Sequence, residues 1–93
     1  RSLLFFDARD PDQLAYARQA IAKLGSGVTP ILVGGPVVDL MERWKVRLYF
    51  DQHGLLVRRF GIQQVPAWVY QAGRVMRIDE VIAPAVARDG EKS

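Results

Sequence analysis

Leu3 to Phe6 form an unbroken apolar run near the start of the chain. A short run without alternation fits a strand covered on both faces. Polar residues from Asp7 to Asp10 end it. Asp10-Pro11-Asp12-Gln13 then reads as a helix start. Asp10 can accept from the free N–H groups of the first turn, and Pro11 loses nothing at the first helical position. Gln13 stands where a capping box places its second member. Leu14, Ala17, Ile21 and Leu24 follow along one helical face, and Gly25 closes the helix as a left-handed cap.

The same grammar repeats with different residues. Thr29 to Val33 is a second buried-strand pattern, ended by Gly34-Gly35-Pro36. Pro36 starts a second helix whose apolar face is Val37, Leu40, Met41 and Trp44, with Asp39 one turn ahead of Arg43 as an ion-pair candidate. Arg43 and Lys45 suit the negative end of that helix. Arg47 to Phe50 predicts a short third strand, Asp51 to Gly54 a turn, and Leu55 to Phe60 a short helix closed by Gly61. Val65 to Tyr70, β-branched and aromatic, is the clearest strand. Gln71-Ala72-Gly73-Arg74 predicts a hairpin turn and Arg74 to Ile82 the returning antiparallel strand. The predicted order is β-α-β-α-β-(short α)-β-β, an α/β fold with a central mixed sheet flanked by helices.

Composition narrows the chemistry. In 93 residues, 49% are hydrophobic and 25% charged, the balance of one small globular domain. No apolar run approaches the ~20 residues of a membrane span, so no membrane insertion is expected. The formal charge of +3 is carried by basic residues scattered among acids, which fits a solvated surface and no nucleic-acid partner. There is no cysteine, so disulfides, thiolate nucleophiles and Cys-based metal sites are excluded together. The lone His53 cannot build a zinc site of the usual kind; neither a metal nor a cofactor is expected. The chain opens at Arg1-Ser2 without Met or a signal-peptide pattern, which suggests a fragment of a longer protein.

Phe60-Gly61-Ile62-Gln63-Gln64-Val65-Pro66-Ala67-Trp68-Val69-Tyr70-Gln71-Ala72-Gly73 resembles the second half of thioredoxin-fold proteins. The resemblance implies a cis Pro66 preceded by Val65, with the backbone ahead of the proline free to meet an extended peptide. It also places the family's redox centre at Ala8 to Gln13, where this chain has neither Cys nor Ser. Tyr49-Phe50-Asp51-Gln52-His53-Gly54-Leu55, Arg59-Phe60-Gly61-Ile62, Val65-Pro66-Ala67 and Arg77-Ile78-Asp79-Glu80-Val81 are similar to the C-terminal domain of TraW proteins of type-F conjugative transfer systems. The pilin-assembly protein TrbC has a similar Val-Pro segment. The resemblance implies a periplasmic, non-catalytic protein-binding domain for conjugative pilus assembly within a type IV secretion system. Its partners would be a TrbC-like protein and other conjugative secretion components. The alternative is a degenerate thioredoxin-fold enzyme or thiol-ligand binder, taking glutathione at Pro66. Residues 1–88 would form the domain and 89–93 a flexible tail.

Several residues carry two readings. Pro66 is either a recognition element or a strand-initiating proline, and Asp51 a ligand or a turn cap. His53 is a pH sensor or simply exposed. Arg58 and Arg59 either grip a partner carboxylate or form a solvated face. Asp7, Asp10 and Asp12 cluster in sequence, although helix capping accounts for Asp10. Trp44, at its helix end, is a candidate half-exposed anchor. Thioredoxins finish with a helix over one sheet face, and Ile82 to Arg88 is too short and Pro-broken to supply it. Either the inserted segment Pro36 to Phe50 covers that face, or an apolar patch near Trp68, Met76 and Ile78 stays open for a partner.

Overall fold

A computed structural model describes residues 1–86 of the chain. The elements are β1 (Ser2–Asp7), α1 (Pro11–Leu24), β2 (Val28–Gly34), α2 (Val37–Trp44), β3 (Tyr49–Phe50), α3 (Leu55–Phe60), β4 (Ala67–Ala72) and β5 (Val75–Glu80). Their order is the one the hydrophobic pattern predicts. The sheet order is β3-β2-β1-β4-β5. β1 runs parallel to β2, and β2 to β3, whereas β4 lies antiparallel to β1 and to β5.

The central place of β1 explains its composition. Leu4, Phe5 and Phe6 are all fully buried, because helices cover both faces of this strand. Leu4 and Phe6 join Ala17, Leu32 and Leu40 beneath α1 and α2. Phe5 joins Ile31, Ala67 and Val69 on the other face, with Val57 and Phe60 of α3 packed against them. Each such side chain contributes roughly 1.5–3 kcal/mol on burial. A one-residue slip of β1 would exchange the two clusters, so the register is strongly specified.

With β3 and α2 set aside, the remaining order β2-β1-β4-β5, two strands parallel and two returning antiparallel, is thioredoxin-like. The Val65–Pro66 bond is cis. The fold is therefore a cysteine-free α/β domain of thioredoxin-like architecture.

Several local expectations are corrected. Gly25 has φ 55 and ψ −125, outside the left-handed helical basin, and the chain continues through a 3-10 turn at Gly25–Gly27. Leu24, expected on the apolar face, is 48% exposed because the helix runs past its buried stripe. The third strand shrinks from Arg47–Phe50 to Tyr49–Phe50, and the fourth starts at Ala67, after the Val65–Pro66 bend. Gln13 does not close a capping box on the Asp10 N–H. Its amide donates to Asp10 Oδ2 (3.2 Å) and its carbonyl accepts from the Asp7 N–H (2.9 Å).

The inserted α2 packs on the same face as α1, with Leu40 fully in the core. It does not reach β5, whose six residues are all exposed. Ile82–Val86 form no helix, and Val86 donates its N–H to Asp12 Oδ1 (2.9 Å). Arg88 and the expected tail at 89–93 lie outside the described residues.

Candidate functional site

The carboxyl ends of β1 and β2, the start of α1 and the Val65–Pro66 bend meet at one end of the sheet, because β4 pairs Ala67 with Phe5. This is where thioredoxin-fold enzymes keep their sulfur chemistry. Here it holds a closed polar network. Arg9 grips Asp7 in a fork, Nε to Oδ1 and Nη2 to Oδ2, both at 2.9 Å, and the Arg9 N–H donates to Oδ1 as well. The side-chain hydrogen bond from Arg9 holds the Asp7 carboxyl below its ordinary pKa, against the opposing pull of partial burial. The same bond raises the Arg9 guanidinium. Asp10 Oδ1 accepts from the Asp12 N–H (3.0 Å) and so caps α1 as expected.

Both oxygens of Asp7 and both of Asp10 are thus already occupied. Asp12 turns away to Val86, so the three aspartates do not converge. Among the described residues no group of His, Asp or Glu is placed to hold a metal ion.

The bend itself is held from behind. Glu80 Oε2 accepts from the N–H groups of Gln63 (2.8 Å) and Gln64 (3.4 Å), and the Pro66 carbonyl accepts from Val81 (2.9 Å). Pro66 is fully buried, so its ring is not a contact surface. Val65 is half-buried against the α3 cluster. Among the described residues its backbone N–H and carbonyl have no hydrogen-bond partner. Glu80 had no sequence signal, because its partners lie in a loop across the β4–β5 hairpin.

The remaining candidates scatter. Arg58 and Arg59 are both exposed, and Arg58 donates to the His53 carbonyl (2.7 Å). Adjacent on one helix, the two do not face the same way. His53 is exposed at φ 57. Asp51 is a cap: 3% exposed, it accepts from the N–H groups of Leu56 (2.8 Å) and Val57 (3.0 Å) at the start of α3. Trp44 is half-buried, stacked on Phe6 at 6.3 Å. Trp68 is half-buried and donates Nε1–H to the Tyr16 hydroxyl (2.8 Å).

Met76 (58% exposed) and Ile78 (39% exposed) do lie open. They do not share a face with Trp68, however. Ile78 pairs with Val69 and Met76 with Gln71, on the α3 side, whereas Trp68 pairs with Asp79 and packs on the α1 side. Strand alternation separates them. The open surface is therefore the edge strand β5 and not a single patch.

No protein-family model matches the chain. No solved structure matches it either. Against curated proteins, 70 residues are 41% identical to Protein TraW of Escherichia coli (strain K12), an alignment that takes 74% of this chain and 32% of TraW. The chain spans about a third of the length of that relative. Over this stretch the chain is similar to TraW.

Proposed function

We propose that this chain is a non-catalytic protein-binding domain, residues 1–88, of a periplasmic protein that assembles conjugative pili within a type IV secretion system. Its partner in this reading is a TrbC-like protein, alongside other conjugative secretion components. The 41% identity to TraW carries the reading. Two structural features support it. The end of the sheet used for sulfur chemistry elsewhere is filled by the Asp7–Arg9 fork and the Asp10 cap. β5 is an edge strand with every residue exposed, including Val75, Met76 and Ile78. An edge strand offers unpaired backbone groups to an incoming chain, and apolar side chains beside it can anchor that chain.

No helix of the described residues is long and apolar enough to cross a membrane.

The test is calorimetry between this chain and the TrbC-like protein encoded in the same gene cluster. Association is expected, weakened about tenfold or more by Met76→Asp with Ile78→Asp, in line with the loss of central anchors. Absence of association with a folded TrbC-like protein would end the proposal. Saturable glutathione binding that Val65→Pro abolishes would favour the thiol-ligand alternative instead.

A further inference from the structure

At the end of the sheet opposite Pro66, a recess of about 610 Å³ opens where β1, β2 and β3 begin and the last turns of α1 and α2 arrive. Arg1, Arg18, Arg43 and Arg47 stand around it, and no aspartate or glutamate lines it. The only ion pair among the described residues is Arg9–Asp7, at the other end of the sheet. The expected Asp39–Arg43 pair is not formed, which leaves Arg43 to the recess.

The wall is held by the core. Arg18 lies over the Trp44 ring, 5.9 Å from its centroid, and Phe6 stacks on the same indole with 13° between the planes. Arg1 donates through Nε and Nη2 to the Ser26 carbonyl (3.2 and 3.0 Å), which fixes its guanidinium at the rim. Ile21, Val28 and Val46 add apolar lining.

Four like charges around one concavity repel one another, and the walls focus their field into the cavity. A guanidinium also matches a carboxylate in forked geometry. We propose that this recess docks an acidic peptide, a partner segment in which Asp or Glu side chains flank an apolar one. The carboxylates meet the arginines and the apolar side chain meets Ile21, Val28 and Val46. A nucleic acid fits less well. Phosphate tracking calls for cations strung along a face, and base stacking for an open aromatic. Here the cations ring one hollow. The indole already carries Phe6 and Arg18, so a base would have to displace the guanidinium. The inference rests on the recess alone and does not depend on the likeness to TraW.

The experiment titrates the full chain with a short peptide of Asp and Glu residues around one leucine, and with the same peptide carrying Asn and Gln. The readout is binding together with the indole N–H resonances of Trp44 and Trp68. Expected is at least ~tenfold tighter binding of the acidic peptide, as charge-assisted forks would give. The Trp44 signal should move while that of Trp68 stays. Arg18→Gln with Arg43→Gln should weaken binding about tenfold, and Arg58→Gln with Arg59→Gln should change it by less than about twofold. These side chains are exposed, and unchanged amide spectra confirm that each variant folds. Equal weakening by the two pairs would mean diffuse attraction and overturn the site. Tighter binding of a single-stranded oligonucleotide, or inorganic phosphate competing as well as the peptide, would overturn the choice of ligand.

Discussion

Where β1 and β2 finish, three carboxylates are held by donors of the chain: Asp7 holds Arg9, Asp10 caps α1, and Asp51 caps α3. Where the same strands begin, four arginines share a recess that contains no carboxylate. At the first end these carboxylates are hydrogen-bonded within the chain; at the second the arginines have no acidic partner. Open α/β sheets usually place their ligands beyond the carboxyl ends of the strands. In this chain that end is filled by its own side chains, and the surface suited to a charged ligand lies at the other. Local self-satisfaction and availability for binding are thus inversely arranged along one sheet.

The comparison breaks most readily at the closed end. Asp51→Ala removes a buried carboxylate that satisfies two backbone N–H groups and leaves both without an acceptor. Losing a helix cap and orphaning buried donors costs about 3 kcal/mol together. Urea unfolding should show that loss in the midpoint, and a change within the noise would mean that α3 is not anchored through Asp51.

Next in size is a pair of glycines beside Arg9. Gly35 has φ +112, and a Cβ there would stand 2.7 Å from the Ala8 Cβ. Both the backbone region and the contact oppose a side chain, so Gly35→Ala should cost about 2 kcal/mol. At Gly34 a Cβ would instead meet the Arg9 guanidinium at 2.6 Å. That group is the far end of a flexible, exposed side chain and can swing away. Gly34→Ala should therefore be milder than Gly35→Ala in the same unfolding assay while it opens the Asp7–Arg9 fork. If the two cost the same, the fork is more rigid than its exposure implies.

How much of this was legible beforehand follows from where the information sits. β1, α1 and α3 were readable because their signals are local: an apolar run, an Asp-Pro start, a glycine stop. The Asp10 cap was readable for the same reason, whereas Asp51 reads as a turn cap or a ligand and its hold on the start of α3 is not visible in the sequence. β3 was over-read by two residues, since Arg47 and Leu48 fit a strand pattern but find no register with β2. Trp68, Met76 and Ile78 lie close in the predicted hairpin, but the β4–β5 register, which the sequence does not carry, sets the face of each. The recess was invisible for a deeper reason. Arg1, Arg18, Arg43 and Arg47 are spread along the chain, and Arg43 stands beside Glu42, so no run of positive charge marks them. Folding sends Asp39 and Glu42 away from the cavity and gathers the arginines around it. Mixing along a chain says little about mixing in space.

A third prediction concerns the open end. Arg18→Gln with Arg43→Gln removes two repelling charges and the Arg18–Trp44 cation–π contact, but no hydrogen bond described within the chain; the two effects offset, so stability should stay within about 0.5 kcal/mol of the parent. Any change should favour the variant at low salt and fade as salt rises, because the repulsion is screened. A clear loss of stability would show the arginines to be structural and the recess closed in function.

The smallest effect is on pH, and it isolates the closed end. Asp7 is held below its ordinary pKa by the hydrogen bond from Arg9, so the folded chain keeps this carboxylate charged more strongly than the unfolded chain does. Its contribution to stability is present above the unfolded pKa and is lost as pH falls through the lowered folded value. The Arg9 side chain is 69% exposed, so solvent screens the pair and the loss should be slight. The sharper readout is the carboxyl carbon resonance of Asp7, whose midpoint should lie below that of an unperturbed aspartate. Arg9→Gln should move it upward, and the recess variants should leave it unmoved. If Arg18→Gln with Arg43→Gln shifts it as far as Arg9→Gln does, long-range charge dominates the fork and the two ends are not electrostatically separate.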